Sequence, residues 1–154
     1  MDREDWCRLL DFANLYAELN STCTKTAVGC VLFKEGLAFS YGANQGEIDC
    51  RKFGCLRIAT FGNNSKEHRN VCRCTHSEIN AIKRANGSTK GTTAVVTRYP
   101  CDDCAKALVG AGIKKVVYGR EFEISDWAKK LFADNGVEVI HIPEWNCDKA
   151  DTNN

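Results

Sequence analysis

The sequence lacks the features that would place the protein in a membrane or against a polyanion. It has no run of about 18 apolar residues, so no transmembrane helix is predicted. Its 21 Lys and Arg nearly balance its 20 Asp and Glu, and no long block of one sign occurs, which argues against nucleic-acid or membrane partners. Repeats and low-complexity tracts are also missing. What remains is a globular chain of 154 residues, expected to form one domain over residues 1–154.

Cysteine, by contrast, is abundant, with ten in the chain. In a short secreted protein this number would indicate a disulfide scaffold. The N-terminal residues 1–5 are too charged for a signal peptide. We therefore interpret the cysteines as reduced thiols and metal ligands, and we expect a cytoplasmic protein. Cys7, Cys30 and Cys147 are interpreted as packing or tail residues.

Hydrophobic periodicity predicts the order of helices and strands. Apolar residues recur at helical spacing across 3–19, and two β-rich runs at 28–33 and 37–41 predict a hairpin. After residue 76, helical and strand patterns alternate; the helices are 78–85, 101–109 and 125–134, and the strands are 92–97, 114–118 and 137–142. This alternation predicts crossover connections and an α/β domain with three layers, in which helices flank a mixed sheet of five strands.

Two segments do not fit this pattern. Residues 43–75 are polar and broken by glycine and asparagine, so we expect a long loop there that a metal could order. Residues 146–154 are expected to form a frayed tail.

Three side chains have the chemistry and spacing of zinc ligands. His76 precedes a predicted helix, and Cys101 and Cys104 are three residues apart at the start of the next helix, where they share one face. Imidazole and thiolate both suit zinc. A structural zinc site is normally closed by four protein ligands, whereas a catalytic site keeps the fourth position for water.

Glu78 gives this pattern its catalytic interpretation. A carboxylate two residues after the histidine reaches the same pocket only if the histidine lies at the helix start and the glutamate in its first turn. The signature H-x-E…P-C-x-x-C is that of zinc deaminases, in which the glutamate carries the proton. The sequence thus predicts hydrolytic removal of an amino group from a ring carbon, with Glu78 as the catalytic residue.

Two other interpretations of the same residues remain open. Cys101 and Cys104 alone are typical of a structural zinc half-site or a redox pair. The chain would then be a zinc-stabilised binding module without catalytic activity. Such a module has no need of a carboxylate beside the metal, so Glu78 favours an enzyme.

With these residues in place, the chain resembles the deoxycytidylate (dCMP) deaminase family of the cytidine deaminase superfamily. The resemblance runs over residues 5–142; besides the zinc motif it includes Ser21-Thr22-Cys23-Thr24-Lys25, Val28-Gly29, Asn44, residues 78–82 and residues 111–118. It implies the cytidine-deaminase-like fold and hydrolysis of dCMP to dUMP and ammonia, which supplies thymidylate synthesis. It also implies homo-oligomers, often hexamers, with dCTP (together with Mg²⁺) and dTTP as effectors.

The resemblance also assigns substrate contacts. Asn44 matches the asparagine that contacts the sugar, and Lys25 stands where a basic residue lies near the phosphate. Phe122 stands where an aromatic side chain packs on the base, and Tyr99 where the chain passes the base. Ser77 replaces the usual alanine, and its backbone N–H is expected to face the substrate.

The remaining cysteines leave a second metal site open. Relatives sometimes hold a second, structural zinc in the 43–75 loop, and the candidate ligands here are Cys23, Cys50, Cys55, His68, Cys72 and Cys74. The alternative is that these are ordinary thiols. Among enzymes, a tRNA adenosine deaminase or another cytosine or nucleoside deaminase would share the zinc motif, although an RNA enzyme should carry a basic surface.

Overall fold

The computed structural model describes residues 1–148, and those residues form six α-helices, five strands and two 3₁₀ helices. The α-helices are α1 (Arg3–Asn20), α2 (Cys50–Phe53), α3 (Leu56–Phe61), α4 (Ser77–Arg84), α5 (Asp102–Gly110) and α6 (Asp126–Asp134). The strands are β1 (Gly29–Lys34), β2 (Leu37–Ala43), β3 (Thr93–Arg98), β4 (Lys115–Arg120) and β5 (Glu138–His141). The 3₁₀ helices are Gly62–Val71 and Pro143–Asp148.

The strands form one mixed sheet in the order β2-β1-β3-β4-β5. β1 pairs antiparallel with both β2 and β3, whereas β3, β4 and β5 run parallel. The hairpin between β1 and β2 turns at Glu35 and Gly36, whose φ angles are 51° and 84°. Two consecutive positive φ angles match the right-handed twist of the flanking strands. The predicted mixed five-stranded sheet is confirmed.

Helices cover both faces of the sheet. Because side chains alternate along a strand, Val95 of β3 packs towards α1, and its neighbours Ala94 and Val96 pack towards α4, α5 and α6. The C-terminal 3₁₀ helix shares the α1 face through Trp145, whose indole N–H donates to Asp11. The three-layer arrangement is therefore confirmed.

The segment 43–75 differs from the expected loop. It contains α2, α3 and the first 3₁₀ helix, all too short to show hydrophobic periodicity in the sequence. Residues 146–148, expected to be frayed, belong to the second 3₁₀ helix, and residues 149–154 lie outside the described residues. Among the described residues, no helix has the length and apolar content to cross a membrane.

Candidate active site

One edge of the sheet gathers the ends of several elements. β3 ends here and is followed by the start of α5, and α4 begins beside it. β1 is antiparallel to β3, so its first residue lies at the same edge, where the Gly29 N–H donates to the Thr97 hydroxyl at 3.0 Å. In open α/β sheets, ligands bind outside the carboxyl ends of the parallel strands. The sequence-predicted metal ligands lie at this edge.

His76 and Cys101 occupy equivalent positions on consecutive helices. Each is the N-cap residue, with extended backbone, of α4 and α5 respectively. The Nδ1 atom of His76 lies 3.4 Å from Cys101 Sγ and 3.3 Å from Cys104 Sγ. Among residues 1–148, these three side chains form the group of potential metal ligands whose donor atoms all lie within 4.8 Å of one another.

The donor set fits zinc. Zn–N and Zn–S bonds of about 2.05 and 2.3 Å at a tetrahedral angle place nitrogen and sulfur about 3.6 Å apart. The observed separations of 3.3 and 3.4 Å are close to that value. The three side chains supply three ligands, the number found in catalytic zinc sites.

The three ligand side chains shift one another's pKa values. The hydrogen bond from Cys104 lowers the pKa of Cys101 to about 4, and contact with Cys101 raises the pKa of His76 to about 9. The pKa of Cys104 is raised, first by Cys101 and then by burial. At neutral pH the metal-free site therefore holds a thiolate beside an imidazolium, and a bound cation would take the place of the protons.

Glu78 lies in the first turn of α4 and is only 4% exposed. Its Oε1 accepts a hydrogen bond of 2.6 Å from the hydroxyl of Ser77. Burial raises the pKa of Glu78, and the hydrogen bond from Ser77 opposes that shift. The carboxyl group also lies close enough to Cys104 to contribute to the raised pKa of that thiol. The predicted proton carrier therefore lies beside a predicted metal ligand.

Asn80 fixes the start of α4 against β2. Its amide nitrogen donates to the carbonyl oxygens of Ala43, Gln45 and Thr75 at 2.8, 3.3 and 3.1 Å. Gly42 lets the two elements approach, because a Cβ there would lie 2.5 Å from the carbonyl oxygen of Ser77. This role of Asn80 was not predicted from the sequence, since the carbonyl groups of Ala43 and Gln45 lie 37 and 35 residues away along the chain.

Asn44 and Lys25, predicted to contact the substrate, lie at the same edge. The Asn44 side chain accepts from the Val28 N–H at 2.9 Å and donates to the Thr26 carbonyl at 2.8 Å. Its amide thereby braces the 22–28 segment that carries Lys25. The Lys25 ammonium lies 3.5 Å from the hydroxyl of Ser65.

The two predicted aromatic contacts are placed differently. Phe122 follows β4 and is exposed, with the guanidinium carbon of Arg98 at 4.1 Å from its ring centroid. Tyr99 is buried, and its ring packs edge-on against Tyr118 at 4.9 Å in the core beneath the helices. Contact of either ring with a substrate stays a prediction.

Two further charged residues near the site were not singled out from the sequence. Arg98 ends β3, three residues before Cys101, and donates to the Thr26 hydroxyl at 3.2 Å. Arg69, in the first 3₁₀ helix, forms a two-pronged ion pair with Glu123 and is close enough to Cys101 for the thiolate to raise its pKa. No local motif marks Arg69, because its partner is 54 residues away.

The candidate second metal site is only partly assembled. The thiol of Cys74 lies close enough to those of Cys23, Cys50 and Cys72 to shift their pKa values. Cys55 caps α3, and the His68 ring stacks on Phe61 at 3.6 Å. Among the described residues, these donors do not form a group within mutual 4.8 Å contact.

A three-layer α/β domain with a His-Cys-Cys cluster and a buried glutamate at the sheet edge has the features of a zinc-dependent deaminase. Residues 3–120 match the family described as "Cytidine and deoxycytidylate deaminase zinc-binding region". The chain therefore belongs to the cytidine and deoxycytidylate deaminase family, whose members are hydrolases of C–N bonds. This confirms the family and the enzyme class predicted from the sequence.

Relatives extend this similarity along the chain. ComE operon protein 2 of Bacillus subtilis is 31% identical over 148 residues, covering 92% of this chain and 74% of that protein. The deoxycytidylate deaminase of Enterobacteria phage T4 is 30% identical over 183 aligned residues, covering 95% of this chain and 94% of the phage enzyme. The crystal structure of the dCMP deaminase of cyanophage S-TIM5 with dCMP and dUMP superposes with a TM-score of 0.68 and 24% identity, over 92% of this chain and 98% of that one. This last similarity confirms the fold.

Proposed function

We propose that this protein hydrolyses dCMP to dUMP and ammonia and so supplies the precursor of thymidylate. The observation that carries the proposal is a buried glutamate in the first turn of α4, the helix whose N-cap residue is His76 of the His-Cys-Cys cluster. Relatives named deoxycytidylate deaminase, aligned over nearly the whole chain, support dCMP as the substrate.

Each residue has a distinct role in the proposed hydrolysis. His76, Cys101 and Cys104 hold zinc, and the chemistry that a bound zinc supplies is a lowered pKa for water. Glu78 takes one proton from the attacking water and transfers it to the ring nitrogen. It then takes the remaining proton from the hydroxyl group newly bonded to the ring carbon and delivers it to the amino group as that group leaves. Water oxygen thereby bonds to the ring carbon, the carbon–nitrogen bond breaks, and ammonia is released.

Lys25, Asn44, Ser77, Tyr99 and Phe122 are the substrate contacts in this proposal. Lys25 supports a phosphate-bearing substrate, because its positively charged ammonium belongs to the 22–28 segment, which hydrogen bonds of the Asn44 amide hold in place. Ammonia release should be measured with dCMP, CMP, dCTP, deoxycytidine and a tRNA anticodon stem. Turnover of dCMP above all others is the expected result, and turnover of RNA alone would overturn the proposal.

The other candidate functions receive less support from the structure. A tRNA adenosine deaminase would need a basic surface for the RNA backbone, whereas this chain has a net charge of +1. A binding module without catalysis would leave the burial of Glu78 beside the cluster without purpose, since a buried carboxyl group costs free energy.

We also propose that Cys74 and the thiols around it hold a second, structural zinc. The support is the proximity of Cys74 to Cys23, Cys50 and Cys72, whose pKa values it shifts. These residues lie in the segment before β1, at the start of α2 and in the segment before α4. Metal analysis after exhaustive dialysis should give about two zinc ions per chain. A Cys74→Ser variant should lose one and keep deaminase activity, while a wild-type ratio near one would refute the second site.

The chain is proposed to act as one cytoplasmic deaminase domain over residues 1–154 that assembles into homo-oligomers, with six copies as the family resemblance implies. Exposed apolar side chains at helical spacing on α1, Phe12, Leu15 and Leu19, support assembly. Eight cysteines of the described part of the chain, from Cys23 to Cys104, are free thiols, which suits a reducing compartment. Light scattering with and without dCTP, dTTP and Mg²⁺ would test assembly and effectors, and a monomer under every condition would contradict this proposal.

A further inference from the structure

Ser77 stands in the sequence between the metal ligand His76 and the proton carrier Glu78. Ser77 is the first residue of α4, it is completely buried, and its hydroxyl donates to Oε1 of Glu78 at 2.6 Å. Neighbouring residues on a helix point to different faces, so the bond forms only because the Glu78 side chain folds back towards the helix start.

This bond is at the short end of the range for hydroxyl donors. Hydrogen bonds from a hydroxyl to a carboxylate are about 2.5–2.7 Å long, shorter and stronger than neutral ones. The bond therefore opposes burial, which on its own favours the protonated carboxyl group of Glu78. It also makes the two carboxylate oxygens inequivalent, because Ser77 donates to Oε1 and not to Oε2.

We propose that Ser77 is a positioning residue that makes Glu78 a one-oxygen proton carrier. Its hydroxyl holds Oε1 throughout the reaction, so every proton is taken up and released at Oε2. Proton transfer requires donor and acceptor within hydrogen-bond reach, and a carboxylate free to rotate about its last bond spends part of its time out of that reach. This role goes beyond the backbone contact assigned to Ser77, and it rests on the proposed function of Glu78.

The chain offers a matched control at Ser40. This buried serine also donates to α4, through a bond of 2.7 Å to the carbonyl oxygen of Ala81, but it does not act on Glu78. Ser77→Ala and Ser40→Ala each remove one buried hydroxyl that stabilises the same helix. A purely structural role for Ser77 predicts the same consequences for both variants.

The test compares kcat, KM and zinc content of the wild type, Ser77→Ala, Ser77→Thr and Ser40→Ala, with dCMP as substrate. Ser77→Ala should lower kcat by about ten- to a hundredfold with KM and zinc content unchanged. Ser77→Thr, which keeps the hydroxyl, should recover most of the rate, and Ser40→Ala should match the wild type. Equal kcat values for Ser77→Ala and the wild type would overturn the proposal.

Two further measurements distinguish the role of Ser77 from the assignment of dCMP as substrate. In a crystal structure of metal-free Ser77→Ala, the Glu78 carboxyl group should occupy a new rotamer or several; a position unchanged from that in the wild type would refute the role of Ser77 whatever the substrate. If Ser77→Ala does not fold, Ser77→Cys provides a weak donor of similar size, and its kcat should fall between those of the wild type and an inactive enzyme. A wild-type protein inactive on dCMP but active on another amino-substituted ring would refute only the substrate assignment.

Discussion

Arg69 of the first 3₁₀ helix and Glu123, in the connection after β4, form an ion pair near the metal ligand Cys101. Two guanidinium nitrogens of Arg69 face the two carboxylate oxygens of Glu123, one pair at 2.9 Å. Glu123 directly follows Phe122, and its φ of 46° is unusual for a residue with a side chain. The ion pair therefore fixes the backbone that presents the Phe122 ring.

Replacing Glu123 by glutamine should weaken the ion pair that fixes the backbone next to Phe122. We expect KM for dCMP to rise by about three- to tenfold with little change in kcat, because the ion pair supports binding and takes no part in proton transfer. Steady-state kinetics would measure this. Glu121→Gln makes the same charge change on the same connection, where the carboxylate faces His141. Equal KM values for Glu123→Gln and the wild type, or an equal rise in Glu121→Gln, would contradict the prediction.

The same pair predicts a pH dependence of stability. The hydrogen bond from Arg69 lowers the pKa of Glu123, and Lys66 and Arg98 act in the same direction. A carboxyl group with a depressed folded pKa stabilises the protein above its unfolded pKa of about 4.3, and this contribution is lost as the pH falls through the folded value. Thermal unfolding of wild type and Glu123→Gln should therefore converge below about pH 4. Both side chains are about half exposed, so high salt should reduce the difference as well.

Glu78→Gln should abolish proton transfer without removing the metal site. Glutamine keeps the shape and can still accept from Ser77, but it cannot carry the proton, so kcat should fall by about 10²–10⁴-fold. Zinc content and the thermal midpoint should stay close to the wild type. Glu138→Gln, at the opposite edge of the sheet, serves as the control and should remain active. Full activity of Glu78→Gln would refute the mechanism.

Gly42→Ala should separate β2 from α4. A Cβ there would meet the Ser77 carbonyl oxygen at 2.5 Å and the Ala81 nitrogen at 2.6 Å, both backbone atoms that cannot yield locally. Overpacking of this kind costs about 1–3 kcal/mol, or about 3–9 °C in a chain of this length. We expect calorimetry to show that loss together with reduced activity, since α4 carries Glu78. Gly110→Ala, which meets no atom within 4 Å, should unfold at the wild-type temperature or above.

Tyr99→Phe should be neutral or stabilising. Among the described residues the buried Tyr99 hydroxyl has no hydrogen-bond partner, and an unsatisfied buried hydroxyl costs about 1–3 kcal/mol. Denaturant unfolding should show equal or greater stability. Tyr16→Phe, whose hydroxyl accepts from Arg84 at 2.7 Å, should instead lose about 0.5–1.5 kcal/mol. A large loss of activity in Tyr99→Phe would contradict a role for the hydroxyl in packing alone.

The sequence alone determined the parts of this protein that depend on short-range spacing. Helical and strand periodicities are local, so α1 and the alternating elements after residue 76 could be placed within one or two residues. The metal cluster could be predicted because His76 and Cys101 each begin a helix, and because Cys101 and Cys104 are one turn apart.

Only the tertiary structure decided which distant side chains meet. The sequence could not show that the Tyr99 ring turns into the core, that Asn80 binds three separate carbonyl groups, or that Arg69 pairs with Glu123. Short helices between residues 50 and 71 also escaped prediction, because pieces of four to ten residues are stabilised by packing and capping more than by their own propensity. Most of these contacts link residues far apart in the chain, and their free energy depends on how the layers pack, which no local pattern encodes.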